Sequence, residues 1–169
     1  MTDQGNAIII GYGPGVGAAV ALAFGREGHS LSLIARDAAK LDAAVSTLAA
    51  EGIKAQGFAA DAGDEASLMA ALDHASSAFG AANVLIYNAA FWRPGPTLAL
   101  SPALLVHDFS VSVVGALTAA RKVAPDMVAK GTGSILFTGG GLALYPSPAA
   151  PSLSIGKAGI RSLALMLAQ

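Results

Sequence analysis

The chain contains no cysteine, so disulfides and thiolate metal sites are excluded. Its three histidines, His29, His74 and His107, are far apart and show no paired ligand spacing; they are expected at the surface, and no metal site is expected. Charge is scarce too. Only 12% of the 169 residues are charged, the net charge is −1 and there is no basic run, which leaves no electrostatic footprint for a nucleic-acid partner. Met1–Gly5 carries neither a basic n-region nor an apolar h-region, so no signal peptide is visible and a cytoplasmic location is expected. The longest uncharged window lies between Lys130 and Lys157. It holds Pro146, Pro148, Pro151 and the triplet Gly139-Gly140-Gly141, so it cannot form one spanning helix. Elsewhere charges interrupt too often for a span, and no membrane association is expected.

What is abundant is apolar: 54% of residues are hydrophobic. A parallel sheet buried on both faces explains such a composition, because its strands read as continuous apolar runs. The length suits one domain, residues 1–169.

The chain is organised around Ile8-Ile9-Ile10-Gly11-Tyr12-Gly13-Pro14-Gly15-Val16-Gly17. A β-branched strand runs into a glycine turn, and an alanine-rich helix follows. In that context a glycine motif points to a dinucleotide. Gly11 is expected to turn the chain sharply off the strand, Gly15 to let backbone approach a pyrophosphate, and Gly17 to let helix and sheet pack closely. The helix start at Val16 offers free N–H groups to phosphate. The spacing fits G-x-G-x-x-G only loosely, through Gly11, Gly13 and Ala18; Gly11, Gly15 and Gly17 fit G-x-x-x-G-x-G better.

Further strands are expected at Ser30–Ala35, Lys54–Ala60, Val84–Tyr87 and Gly133–Thr138. Helices are expected over Val16–Glu27 with Gly28 as C-cap, Ala38–Glu51, from Asp64 as N-cap to Phe79, in one long run from Ser101 to about Ala129, and from Ser152 onward. Alternation at this spacing argues for βαβ units and a parallel sheet.

Together the residues resemble the short-chain dehydrogenase/reductase superfamily over essentially the whole chain. The resemblance implies an α/β fold: a Rossmann-type doubly wound parallel sheet in three α/β/α layers, here apparently truncated after the fifth strand and its following helix, without the C-terminal strands and substrate lid. It implies cofactor contacts at Gly11, Gly13, Gly15, Val16 and Gly17, at Asp61 and Ala62 after strand three, at Asn88 and Ala89 of the Asn88-Ala89-Ala90 segment, and at Lys157. It also implies subunit pairing through the two C-terminal helices, where Ala116, Ala119, Ala120, Ala158 and Ala164 would permit close approach, giving a homo-oligomer.

Cofactor choice turns on the end of strand two. Ala35 fills the position where a carboxylate would read a 2′-hydroxyl, and Arg36 follows it, so NADP(H) is favoured over NAD(H). Asp37 weakens that reading, and Pro14 supplies no second cation; the alternative for Arg36 is a solvated residue capping the next helix.

The catalytic positions depart from the family's pattern. Four residues before Lys157, where the family has tyrosine, stands Leu153. Thirteen before that, where it has serine, stands Gly140; its asparagine falls on Ser112, three before Gly115. The candidate catalytic residues are therefore Lys157 and Ser112. Leucine gives no proton and glycine no hydroxyl. A positioned acid is worth about 10²–10⁴-fold. Three functions stay open: an oxidoreductase on a carbonyl or alcohol substrate with an altered proton relay, a non-catalytic dinucleotide-binding or sensing module, and an inert remnant that assembles through its helices. Trp92 and Arg93 stand where they would line the pocket mouth, though plain packing accounts for such a pair as well.

Overall fold

Ile8, Ile9 and Ile10 are each completely buried, on both faces of one strand, which only a sheet covered on both sides allows. In the computed structural model this strand is β1 (Asn6–Ile10), at the centre of a five-stranded sheet with β2 (Ser30–Ala35), β3 (Ala55–Ala59), β4 (Ala82–Tyr87) and β5 (Ser134–Phe137). The order is β3-β2-β1-β4-β5, and every pair is parallel. The structure describes residues 4–169; Met1, Thr2 and Asp3, which open the stretch without a leader pattern, lie outside them.

Side chains alternate across the pleat into two cores. Ala7, Ile9, Leu31 and Leu33 pack with Ala21 of α1 (Val16–Arg26) and with Leu41, Ala44 and Leu48 of α2 (Ala38–Ala50). Ile8, Ile10, Leu85 and Tyr87 pack with Leu68 and Leu72 of α3 (Glu65–Phe79) and with Ala116, Ala119 and Val123 of α5 (Gly115–Lys130). Ile160 and Leu163 of α6 (Pro151–Leu167) join that second core. This is the doubly wound three-layer arrangement expected from the alternation of elements. Strand order reverses between β1 and β4, and a crevice opens there beyond the strands' carboxyl ends. β5 pairs only with β4 and forms one sheet edge, with Leu136 exposed.

Buried Asn6 fastens the base of the sheet. Its amide donates to Gly80 O at 3.0 Å, and its carbonyl accepts from the Ser32 hydroxyl at 2.9 Å.

Several expectations need correcting. The run from Ser101 is not one uniform helix. Ser101 does cap it, accepting from Leu104 N–H, but α4 (Pro102–Phe109) passes through a π-helical turn, Ser110–Val114, before α5. Inside that turn the Tyr87 hydroxyl donates to Val111 O, a side chain inserted into the helical ladder. The run Pro102–Lys130 is also apolar enough to cross a membrane by length and composition, so charges do not interrupt it as expected; it packs its buried face on the sheet. Ala116, Ala119 and Ala120 are buried within the monomer and are not available for pairing; the exposed apolar residues of the run include Val114, Leu117 and Val128. Glu27, not Gly28, is the C-cap of α1, and Gly28 follows at φ +99°. His29 is half-buried, its ring against Phe24.

Candidate functional site

The glycine turn divides its labour by position. Gly11 has φ +83°, and a Cβ on it would stand 2.4 Å from Ala89 N, so only glycine lets β1 turn this close to the end of β4. The Asn88 amide locks that approach by donating to Gly11 O at 2.9 Å, and Asn88 N–H reaches Ile10 O. Gly17 is buried under the turn, where a Cβ would stand 3.0 Å from Tyr12 Cα; its part is packing rather than ligand contact. Gly13 and Gly15 face open space. Gly15 is the N-cap of α1 and has no side chain to satisfy the first N–H groups from Val16 onward. An uncapped helix start beside room for a ligand suits a pyrophosphate.

Beyond the strand ends lies a cavity of about 790 Å³. Of the expected cofactor residues, Gly11, Gly13, Arg36, Asp61, Ala62, Asn88 and Ala89 line it. Gly15, Val16, Gly17, Ser112 and Lys157 do not. The Asp61 carboxylate accepts from Gly63 N–H at 2.8 Å, which pins the β3–α3 turn against the cavity wall. The size falls in the ordinary range for a small-molecule site.

Arg36 is exposed at the cavity rim and is not the helix cap. Asp37 caps α2, accepting from Lys40 N–H at 3.1 Å and pairing with the Lys40 ammonium at 3.1 Å. Those contacts, the backbone hydrogen bond first, hold the Asp37 carboxyl below its ordinary range. Asp37 is thus committed to the helix start, while Arg36 has no carboxylate partner among the described residues. Its guanidinium lies over the Phe91 ring instead, 5.5 Å from the centroid. Lys40 lines the same cavity, a second cation that the glycine turn does not supply.

The candidate catalytic residues sit where α6 meets the π-turn. Lys157 is half-buried, and its ammonium donates to Thr138 O at 2.5 Å, at the end of β5. Burial pushes its pKa below the ordinary lysine value. Ser112 is buried in the π-turn against Gly156, and its hydroxyl has no hydrogen-bond partner among the described residues. Ser112 and Lys157 are thus brought to adjoining positions on facing elements. Gly140 has φ +157° and open space around it, and Leu153 is half-buried one turn before Lys157.

The model of the short chain dehydrogenase family matches residues 5–169. The chain belongs to that family. It is 31% identical over 152 residues to 2,3-dihydro-2,3-dihydroxybenzoate dehydrogenase of Bacillus subtilis (strain 168), covering 90% of this chain and 58% of that one. L-sorbose reductase from Gluconobacter frateurii, solved with NADPH and L-sorbose, superposes with a TM-score of 0.93 at 26% identity over 98% of this chain and 64% of its own. A metagenomic short-chain oxidoreductase solved with NADP superposes at 0.91, with 27% identity, 98% of this chain and 74% of its own. The chain spans 58–64% of the length of the first two.

The chain also carries features at the cavity that the sequence did not single out. Phe91 lines the cavity, with Arg36 and Arg93 over its ring and His107 against its edge. Arg93 does not open toward a ligand alone, because it is tied to buried Asp108 on α4. Trp92 is 64% exposed. Tyr87 is buried, and burial raises its pKa, which leaves it as a neutral donor to the π-turn. No pattern of spacing marks Phe91 or Asp108, since Arg36 reaches Phe91 from the end of β2 and Arg93 reaches Asp108 from the loop after β4.

Proposed function

We propose that the chain is an NADP(H)-binding oxidoreductase of the short-chain dehydrogenase type, acting on a carbonyl or alcohol substrate through an altered proton relay. The observation that carries the cofactor half is Arg36: a guanidinium at the cavity rim without a carboxylate partner, beside an Asp37 that is committed elsewhere. Ala35 offers no carboxylate to a 2′-hydroxyl. The arginine fork suits a phosphate, and Lys40 adds a cation nearby. The relatives solved with NADP or NADPH support the same choice.

The turn Gly11–Gly15 and the α1 start would hold the pyrophosphate, Asp61 and Ala62 the adenine side, and Lys157 the nicotinamide ribose. A bound nicotinamide supplies or accepts a hydride. The chain must then hold the substrate and move a proton. Lys157, with its pKa lowered by burial, is the ionisable group at the position the family uses, and its chain neighbour Gly156 packs against Ser112.

A second reading, a non-catalytic dinucleotide-binding module, is favoured by Leu153 and Gly140, which offer neither a proton nor a hydroxyl. Fluorescence titration of Arg36→Ala with NADPH and NADH tests the cofactor assignment. A charge-assisted hydrogen bond is worth about 1.5–3 kcal/mol, so NADPH should weaken roughly tenfold or more relative to NADH. Equal weakening of both would overturn it. A carbonyl and alcohol panel with saturating cofactor then separates enzyme from binding module.

A further inference from the structure

A guanidinium that reads a phosphate binds well only if it is already held in place, because ordering a long side chain on binding costs affinity. Among the described residues Arg36 has no carboxylate to hold it, yet its position is fixed from the opposite side of the crevice. Arg36 leaves the end of β2 and Phe91 follows the end of β4; β1 lies between them. The Arg36 guanidinium crosses that gap and rests 5.5 Å from the Phe91 ring centroid. The ring is held in turn. Arg93 lies 5.2 Å from its centroid, and the His107 ring meets it edge-on at 4.9 Å between centroids. Arg93 is anchored by two hydrogen bonds of 2.9 Å to Asp108, a carboxylate 1% exposed, and Asp108 also meets His107 Nδ1 at 3.2 Å. The chain of contacts runs from a buried carboxylate on α4 to an exposed cation just past the end of β2. With Arg36 in this pose the cavity has a volume of about 790 Å³, and Arg36 is part of its wall.

We infer that Phe91 is a positioning residue for cofactor choice: its ring, clamped by Arg93 and His107, holds Arg36 ready for the extra phosphate of NADP(H). The inference rests on the reading of Arg36 as the phosphate-binding cation. The ring's negative face attracts the guanidinium without neutralising it, whereas a carboxylate would compete with the incoming phosphate. Aromatic support therefore keeps the cation both ordered and available.

The test is a titration of NADPH and NADH against wild type, Phe91→Leu, Phe91→Tyr and Arg36→Ala. Leucine keeps apolar bulk and loses the ring. Phe91→Leu should weaken NADPH by about three- to tenfold while NADH changes little, and Phe91→Tyr should keep wild-type preference. Arg36→Ala should lose the preference outright, and Phe91→Leu should add nothing to it. An unchanged NADPH:NADH ratio in Phe91→Leu, with Arg36→Ala still lowering it, overturns the role of Phe91 and leaves the phosphate reading intact. An Arg36→Ala variant with unchanged ratio overturns both. Tighter binding of both cofactors by Phe91→Leu would mean that the ring parks Arg36 away from the ligand, which also overturns the inference. Nitrogen relaxation at Arg36 Nε in the cofactor-free wild type needs no variant to fold. It should show a restrained guanidinium, and free averaging would overturn the inference by itself.

Discussion

Arg93 and Asp108 meet through two parallel hydrogen bonds of 2.9 Å, from Nε and Nη2 to the two carboxylate oxygens, and the carboxylate is almost wholly shielded from water. Fork-to-carboxylate geometry of this kind is among the strongest polar contacts a protein makes. It ties the loop after β4 to α4. The two partners are not equivalent: Arg93 keeps about a third of its side chain in solvent, while Asp108 keeps almost none. Arg93→Met would take the charged fork from a buried carboxylate and leave it the His107 ring as a neighbour, and should cost on the order of 3–5 kcal/mol. Asp108→Asn leaves a cation that water still reaches and should cost less. Thermal unfolding of the two variants checks the asymmetry, and equal losses would count against it.

The same pair predicts an acid limit. Arg93, then its other hydrogen bonds, holds the Asp108 pKa at about 2, below the ordinary 3.8. The folded-state value is depressed, so the pair's contribution is fully present above the unfolded value and is lost as pH falls from about 4 to 2. Urea midpoints measured across that window should fall more steeply in wild type than in Asp108→Asn. Parallel curves would mean that Asp108 does not report on folding.

The glycine turn separates fold from function by position. Gly15→Val adds side chain where nothing stands within 4 Å, so the fold should survive while the cofactor loses its place. Gly11→Ala puts a Cβ on the Ala89 backbone at a φ of +83°, so stability should fall. Strain of this kind costs of order 1–3 kcal/mol before the clash is counted. Cofactor titration and melting temperature, measured on both variants, should move in opposite proportion. Loss of stability in Gly15→Val equal to that in Gly11→Ala would contradict the division.

These glycines were legible because each acts on its own neighbours in sequence: strand, turn and helix follow one another within the stretch from Ile8 to Gly17. The sheet was legible for the same reason, since parallel strands buried on both faces leave apolar runs such as Ile8–Ile10. The π-turn was not. Its cause is Tyr87 reaching Val111 from another strand, and helix propensity along Ser101–Ala129 carries no trace of that contact. Phe91 and Asp108 escaped likewise, because a ring between two arginines and a carboxylate under a loop are made by tertiary approach. The small-residue stripe misled for a related reason. Alanine at Ala116, Ala119 and Ala120 permits close approach, and the sequence did not say whether within the monomer or to a partner subunit; these three are buried within the monomer, while Ala158 is exposed and Ala164 half-buried on α6.

Association should therefore run through larger side chains. Val114 and Leu117 on the long helical run and Ile155, Leu165 and Met166 on α6 are exposed. We expect a homo-oligomer held by these faces. Light scattering at micromolar concentration should give a multiple of the monomer mass, and Leu117→Glu should lower it. A wild type that stays monomeric would refute the pairing.

The last prediction concerns the catalytic half. Lys157 donates to Thr138 O, so its ammonium is partly occupied by the end of β5, which favours an anchoring role over that of sole proton donor. If so, a hydroxyl one turn earlier should restore what is missing. Leu153→Tyr should raise NADPH-dependent carbonyl reduction above the wild-type baseline, by up to about 10²–10⁴-fold for a well-placed acid, with cofactor affinity unchanged. Restoring the second position is harder. Gly140 stands at φ +157°, where a serine is strained although space is open, so Gly140→Ser should lower the melting temperature before it adds any rate. The backbone there is shaped for glycine, and the double variant should therefore be less stable than Leu153→Tyr alone. If wild type already turns over and Lys157→Met abolishes turnover beyond its effect on cofactor binding, the lysine is the donor. If neither wild type nor Leu153→Tyr turns over any of a broad carbonyl and alcohol panel with cofactor bound, the binding-module reading stands in place of the enzyme.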